Sequence, residues 1–247
     1  LRSGRSAGRQ HRASHEAQNK LRHTSHFYRL TLPRHGGNLP KDMGIYDKYV
    51  LPRVVHFTCG QKPAMKQRQK IVPRAYGRVL EIGIGSGLNI PYYDAEKVEH
   101  LWGLDPSEEM WAIAARNAES HHLDAEPLRA GAEAIPLEDN AADSVVITYT
   151  MCTIPDARPA LDEIRRVLKP KGILLFCEHG EAPDSSVRKM QNLANPLWRR
   201  LGGGCHLNRP IPALLEQSGF RSVDLQTMYI PGWKPACFNY WGTATQA

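Results

Sequence analysis

The sequence predicts a doubly wound α/β domain on a seven-stranded sheet, mostly parallel, ending in an antiparallel C-terminal hairpin. Three observations lead there. From about residue 78 onward, short apolar runs rich in β-branched residues alternate with amphipathic helical stretches. The first run closes as Val79-Leu80-Glu81-Ile82-Gly83-Ile84-Gly85-Ser86-Gly87, an acid followed by glycines at every second position. That reads as a buried strand turning sharply into a helix, with bare backbone open to a ligand. The gap between the last two strand-like runs, about 222–228 and 238–245, is too short for a helical crossover, so those strands should pair antiparallel.

Residues 1–42 stand apart. They hold nine Lys/Arg and two Asp/Glu, while the other 205 residues hold 23 of each sign. The net charge of +7 therefore belongs to this segment, and a nucleic-acid-binding face is not expected on the folded part. Few large apolar residues and no period predict disorder for 1–42. Met43 is the first methionine, which suggests that the preceding segment is a non-native extension. An Arg-rich transit peptide and a nucleic-acid-binding arm are the competing readings. A single domain is expected over 43–247, long enough for a sizeable core.

The domain opens with 43–72, read as a helical cap over an acceptor pocket. Tyr46, Tyr49, Val50, Leu51, Val54, Val55 and Phe57 recur at three and four, interrupted by Pro52, and a more basic helix follows Pro63 to Ile71. Strand one is placed at about 78–83, with a short helix after Gly87 that Pro91 and the Tyr92-Tyr93 pair disturb. Strand two, His100–Leu104, ends at Asp105, 18 residues past Gly87, where a carboxylate can accept both hydroxyls of a ribose. Ser107, Glu108 and Glu109 open the next helix. A short third strand near Pro127–Ala130 leads into Gly131-Ala132-Glu133-Ala134. The run from Asp143 to Thr150 has the β-branched character of a central strand and exits at Met151-Cys152. A helix with Leu161, Ile164, Val167 and Leu168 on one face is stopped at Lys169-Pro170-Lys171-Gly172. Strand five, Ile173–Cys177, ends at Glu178-His179-Gly180. Asp184 and Ser185 can cap a helix with Val187, Met190, Leu193, Leu197, Trp198 and Leu201 at three- and four-residue spacing, closed by Gly202-Gly203-Gly204.

Composition narrows the compartment. Five cysteines without close pairing point to a reduced, cytoplasmic setting. No run of about 18 apolar residues spans a bilayer. Cys177, His179, Cys205 and His206 lack a zinc-like spacing, so no metal is expected.

The glycine turn excludes one ligand class. A dinucleotide fingerprint would place its third glycine at position 88, which is Leu88. The pattern E-x-G-x-G-x-G, Asp105, the loop around Ala132 and Arg166-Val167-Leu168-Lys169-Pro170-Lys171-Gly172 together resemble the class I, Rossmann-like S-adenosylmethionine-dependent methyltransferases of small molecules. The resemblance implies S-adenosylmethionine as cofactor. It places Glu81 near the methionine end, Gly83, Gly85 and Gly87 along the cofactor body, and Asp105 and Pro106 at the ribose. Ala132 and Glu133 fall near the adenine and Thr148 at the end of strand four, with Gly131 standing where many relatives have Asp.

More narrowly, Cys152, Glu178-His179, Asn195-Pro196-Leu197-Trp198 and Gly204-Cys205-His206-Leu207-Asn208-Arg209 resemble the alkyl thiol methyltransferases and their bacterial relatives. That resemblance implies a small-molecule acceptor, a thiol or sulfide, methylated by in-line displacement. His179, Glu178 and Arg209 are then the catalytic candidates, and Tyr46, Tyr49, Cys152, Cys205, His206 and Asn208 the acceptor pocket. Methylation of a lipid amine or a quinol ring is the alternative. A non-catalytic cofactor-binding module and a nicotinamide-dependent oxidoreductase are disfavoured because Glu81, the glycines and Asp105 are all present.

Overall fold

A computed structural model describes residues 57–247. The expectations for residues 1–56, including the first cap helix with Tyr46 and Tyr49, lie outside the described residues. The strands are β1 Gly77–Ile82, β2 Val98–Leu104, β3 Ala125–Leu128, β4 Ala142–Thr148, β5 Leu168–His179, β6 Phe220–Tyr229 and β7 Phe238–Gln246. The helices are α1 Lys62–Ile71, α2 Glu108–Ser120, α3 Ala157–Val167, α4 Ser185–Leu201 and α5 Ile211–Gln217. The strands form one seven-stranded sheet in the order β3-β2-β1-β4-β5-β7-β6. The first five run parallel, whereas β7 pairs antiparallel with both β5 and β6.

Alternation along the strands divides the core between the two faces of the sheet. On one face Leu80, Ile82, Val145, Ile147, Leu174 and Phe176 pack with Leu161 and Ile164 of α3 and Leu215 of α5. On the other, Val79, Val146 and Leu175 pack with Ile71 of α1 and Ala114 and Ala118 of α2. Glu81 and Thr148 share the second face by the same alternation, which places both on the α1 side of the sheet. The strand order reverses between β1 and β4, and in such sheets the crevice beyond the strand ends at that point is where ligands bind.

Several elements depart from the sequence expectation. No α-helix follows the glycine turn; turns lead into a single 3₁₀ segment, Ile90–Tyr92, because Pro91 lacks the N–H that an α-helix would need there. The Lys169–Gly172 segment belongs to β5, which starts directly after α3. Leu168 pairs with Ala142, and Lys169 Nζ meets Asp143 Oδ1 at 2.6 Å, so edge pairing of β4 extends the strand backward. Strand β3 lies two residues earlier than expected, in parallel register with Leu101–Leu104. Asp184 occupies the N-cap of α4 without a side-chain cap; its carboxylate accepts the hydroxyl of Tyr229 instead. The stripe on α4 splits, with Val187 buried and Met190, Leu193, Leu197 and Leu201 exposed.

Candidate active site

The glycine turn is built by three left-handed residues at the exit of β1: Gly83, Gly85 and Gly87 have φ of +68°, +52° and +79°. Their surroundings differ. A Cβ on Gly83 would come within 2.5 Å of the Thr150 side chain, whereas one on Gly85 would meet nothing nearer than Met110 Cε at 3.8 Å. The turn is thus packed from below at Gly83 and open above Gly85. Asp105, one residue past β2, fastens it: Oδ2 accepts the Gly85 N–H at 3.0 Å and Oδ1 accepts the Ser107 N–H at 2.8 Å. Burial raises its pKa, and these two N–H groups pull it back. A carboxylate has about four acceptor positions, so this one retains capacity for a ribose.

Beneath the turn lies a buried polar network that sequence reasoning missed. Glu81 Oε2 accepts the Tyr93 hydroxyl at 2.7 Å and Oε1 accepts Asn89 Nδ2 at 2.9 Å. Asn89 also donates to Thr148 Oγ1 at 2.9 Å. Arg68 of α1, only 5% exposed, donates to Asn89 Oδ1 at 2.8 Å and to Thr148 Oγ1. Its guanidinium also lies 5.1 Å from the centre of the Tyr149 ring. Burial pushes Glu81 up to about 7 against the pull of Tyr93, Arg68 and Asn89. Tyr149 has φ +51°, a left-handed conformation unusual for a non-glycine residue and typical of functional turns. Arg68 sits in the more basic helix expected in the cap segment, and charge counting carries no signal that one of its cations turns inward.

The exits of β4 and β5 carry a second group of side chains. Glu178 is fully buried; its Oε1 accepts the N–H groups of Thr150 at 2.8 Å and Met151 at 2.9 Å, while Oε2 has no hydrogen-bond partner among the described residues. Burial raises it to about 7, and the backbone donors oppose that. His179 Nε2 lies 3.1 Å from Cys205 Sγ, and its Nδ1 is buried without a hydrogen-bond partner among the described residues. Cys205 also receives Trp198 Nε1 at 3.3 Å. A hydrogen bond from Cys152, the His179 imidazole and the Trp198 N–H hold the Cys205 thiol far below its ordinary value, against burial, while Cys152 is pushed up. Burial alone would lower His179, but Cys205 and Glu178 raise it.

Arg209 is 8% exposed and donates to His206 Nδ1 at 2.9 Å and to Pro155 O at 3.5 Å; no carboxylate pairs with it among the described residues.

The structure therefore gathers Cys152, Glu178, His179, Cys205, His206 and Arg209. Asn208 goes elsewhere, donating to Asn192 Oδ1 on α4 at 2.7 Å. Pro106 and Glu133 are exposed, Ala132 is buried, and Thr148 lies under the turn within the Arg68 network. Cys177 is a core residue, and the set of Cys177, His179, Cys205 and His206 does not converge; Cys152 takes the place of Cys177. Gln191 holds this region together. It is fully buried, with Oε1 accepting Ala182 N–H and the two N–H groups of Nε2 shared among the carbonyls of Gly180, Leu207 and Pro235, all at 2.9 Å.

A methyltransferase domain family matches residues 80–176, the stretch from the glycine turn through β5. The human thiol S-methyltransferase TMT1B is 32% identical over 179 residues, which are 70% of this chain and 72% of that protein. The rat protein of the same name is 32% identical over 165 residues, 66% of this chain and 65% of the relative's length. A demethylmenaquinone methyltransferase of Clavibacter sepedonicus is 30% identical over 172 residues, 62% of this chain and 69% of that protein. Among solved structures, a possible histamine N-methyltransferase of Thermotoga maritima has a TM-score of 0.58 at 21% identity, covering 82% of this chain and 98% of that one. The open cradle at Gly85, the Asp105 carboxylate beside it and the acidic network beneath fit an S-adenosyl cofactor with its cationic methionine end. Sheet order, glycine turn and relatives agree: the chain belongs to the S-adenosylmethionine-dependent methyltransferases.

Proposed function

We propose that the acceptor is a small thiol or sulfide. The observation that carries this reading is the Cys205–His179 contact at 3.1 Å, since a pocket that sets an imidazole nitrogen against its own sulfur offers the same contact to a substrate sulfur. The likeness to the thiol S-methyltransferases supports it. A thiol also makes small chemical demands, because a few per cent of thiolate at neutral pH is already strongly nucleophilic.

S-adenosylmethionine supplies a methyl carbon on a sulfonium, open to displacement by an aligned nucleophile. The chain's own residues then have separate tasks. Gly83, Gly85 and Gly87 bring the backbone against the cofactor body, and Asp105 receives the ribose hydroxyls while holding Gly85. Glu81 places negative charge at the methionine end, and Ala132 presents its backbone to the adenine. His179 contacts the acceptor sulfur, and Arg209 stabilises its anion. Glu178 positions: through Thr150 and Met151 it sets the turn on which Cys152 stands.

The test is S-adenosylhomocysteine formation from a panel of sulfide, alkyl thiols, a quinol and phosphatidylethanolamine. Turnover of thiols, with His179→Ala lowering kcat by about 100-fold, is the expected result. The Clavibacter sepedonicus relative favours the quinol as second reading. Turnover of quinol or lipid alone would replace the thiol assignment.

A further inference from the structure

Cys152, His179 and Cys205 have a second property beside their place in the acceptor pocket. Their ligating atoms, two Sγ and one imidazole nitrogen, all lie within 4.8 Å of one another, from three different segments of the chain. In a tetrahedral zinc site with bonds of about 2.0–2.3 Å, ligand atoms stand roughly 3.3–3.8 Å apart. The His179–Cys205 edge of 3.1 Å needs only a slight opening to reach that spacing. One of the four buried side-chain atoms without a partner among the described residues, His179 Nδ1, belongs to this cluster. Unsatisfied buried polar atoms commonly mark a missing ion or water.

The surroundings suit a thiophilic cation. Trp198 Nε1 donates to Cys205, as the outer partner of a thiolate ligand should. Glu178 fixes the turn before Cys152 through two backbone N–H groups, and His206 N–H bonds Cys152 O at 2.9 Å, so the Cys152 ligand stands on a braced loop. Two thiolates and one neutral imidazole balance a divalent charge, and three protein ligands leave a fourth position, the arrangement of catalytic rather than structural zinc.

We propose that Cys152 Sγ, His179 Nε2 and Cys205 Sγ bind a zinc-type divalent cation whose open fourth position takes the sulfur of the acceptor. The assignment of the fourth position rests on the thiol reading above; the three-residue metal site does not. Metal binding releases the protons of the two cysteines. The acceptor then enters as a thiolate, its proton passing to solvent. Its lone pair forms the new sulfur–methyl bond while the sulfonium–methyl bond breaks, leaving that electron pair on S-adenosylhomocysteine. The methylated product is a neutral thioether, a weaker ligand than the thiolate, and departs. In this account His179 contacts the acceptor sulfur through the metal it holds, and the metal acidifies the thiol.

The experiment uses the full chain purified under reducing conditions without chelator. Elemental analysis should find one zinc per chain, reduced at least tenfold in Cys152→Ser, Cys205→Ser and His179→Gln and unchanged in Cys237→Ser, which is not one of the three clustered residues. Circular dichroism and S-adenosylmethionine binding identify variants that remain folded. Cobalt loaded into stripped protein should show tetrahedral visible bands and sulfur charge-transfer absorption, both shifted by added ethanethiol. Zinc content no higher in wild type than in the variants, or a Cys152–Cys205 disulfide that persists under reductant, would overturn the site. Cys59 lies near enough to influence Cys205 electrostatically, so loss of zinc in Cys59→Ser would make the site closed and overturn the open position. A cobalt spectrum indifferent to ethanethiol in an enzyme that methylates only a quinol would remove the thiol reading and keep the metal site. Full thiol turnover by stripped enzyme would remove the metal's role and keep the thiol reading.

Discussion

The hydroxyl of Tyr93 donates to Glu81 Oε2 at 2.7 Å, both groups buried beneath the glycine turn. The acid that marks this family's first motif is therefore tied by its own chain before any cofactor arrives. Its environment makes it a poor acid, with burial raising it to about 7 from 4.5.

That shift has a stability consequence. A carboxyl whose folded pKa lies above its unfolded value holds its proton more tightly when folded. Its contribution is fully present below about 4.5 and is lost as pH rises through about 7. Glu178, also raised to about 7, acts with the same sign. Urea unfolding should give stability that falls from pH 5 to pH 8, and Glu81→Gln should remove roughly half of the fall, on the order of 3 kcal/mol. An unchanged slope in Glu81→Gln would contradict the burial argument.

The two glycines should separate fold from binding. Gly83→Ala puts a Cβ 2.5 Å from the Thr150 side chain at φ +68°, so it should lower the melting temperature markedly, at a cost of about 1–3 kcal/mol. Gly85→Ala meets open space and carries only the backbone strain, about 1–2 kcal/mol. Calorimetry should find Gly85→Ala folded but with affinity for S-adenosylmethionine reduced at least tenfold, as its Cβ occupies the cradle.

Gln191 predicts a large effect from a residue remote from the cofactor turn. Its amide accepts one backbone N–H and shares two N–H groups among three carbonyls on segments flanking β5, the Cys205–Arg209 loop and the approach to β7. Gln191→Leu strands those groups in an apolar space and should cost on the order of 3 kcal/mol. Gln191→Glu cannot donate to the carbonyls and should rescue little. A denaturation midpoint near wild type in either variant would show that water replaces the amide.

Arg166 anchors the loop after β3. It donates to Leu137 O at 2.7 Å and Ile135 O at 2.9 Å and pairs with Glu163, whose other oxygen accepts Ile135 N–H. Arg166→Lys keeps the charge but not the fork, so KM for S-adenosylmethionine should rise several-fold with kcat nearly unchanged. A fall in kcat alone would place Arg166 in a different role.

The sequence by itself determined the sheet and the glycine turn at its centre. Glycine spacing, β-branched runs and the short final gap are local signals, and each reports directly on backbone conformation, so β1, β4, the turn and the β6–β7 hairpin were legible. The resemblance at Cys152, Glu178-His179 and Cys205 to Arg209 named most of the second cluster before its geometry was known. Tertiary structure decided the rest. Arg68 looks like a surface cation until α1 packs on the sheet and turns it toward Thr148 and Asn89. Tyr93 looked like a helix disturber, Asn89 gave no signal of its own, and Gln191 looked like one polar position among many on α4. The pairing of His179 with Cys205 and Cys152, rather than with Cys177, depends on where the loop after α4 crosses the ends of β4 and β5. Such partners are set by long-range packing, which leaves no period or spacing in the chain to read.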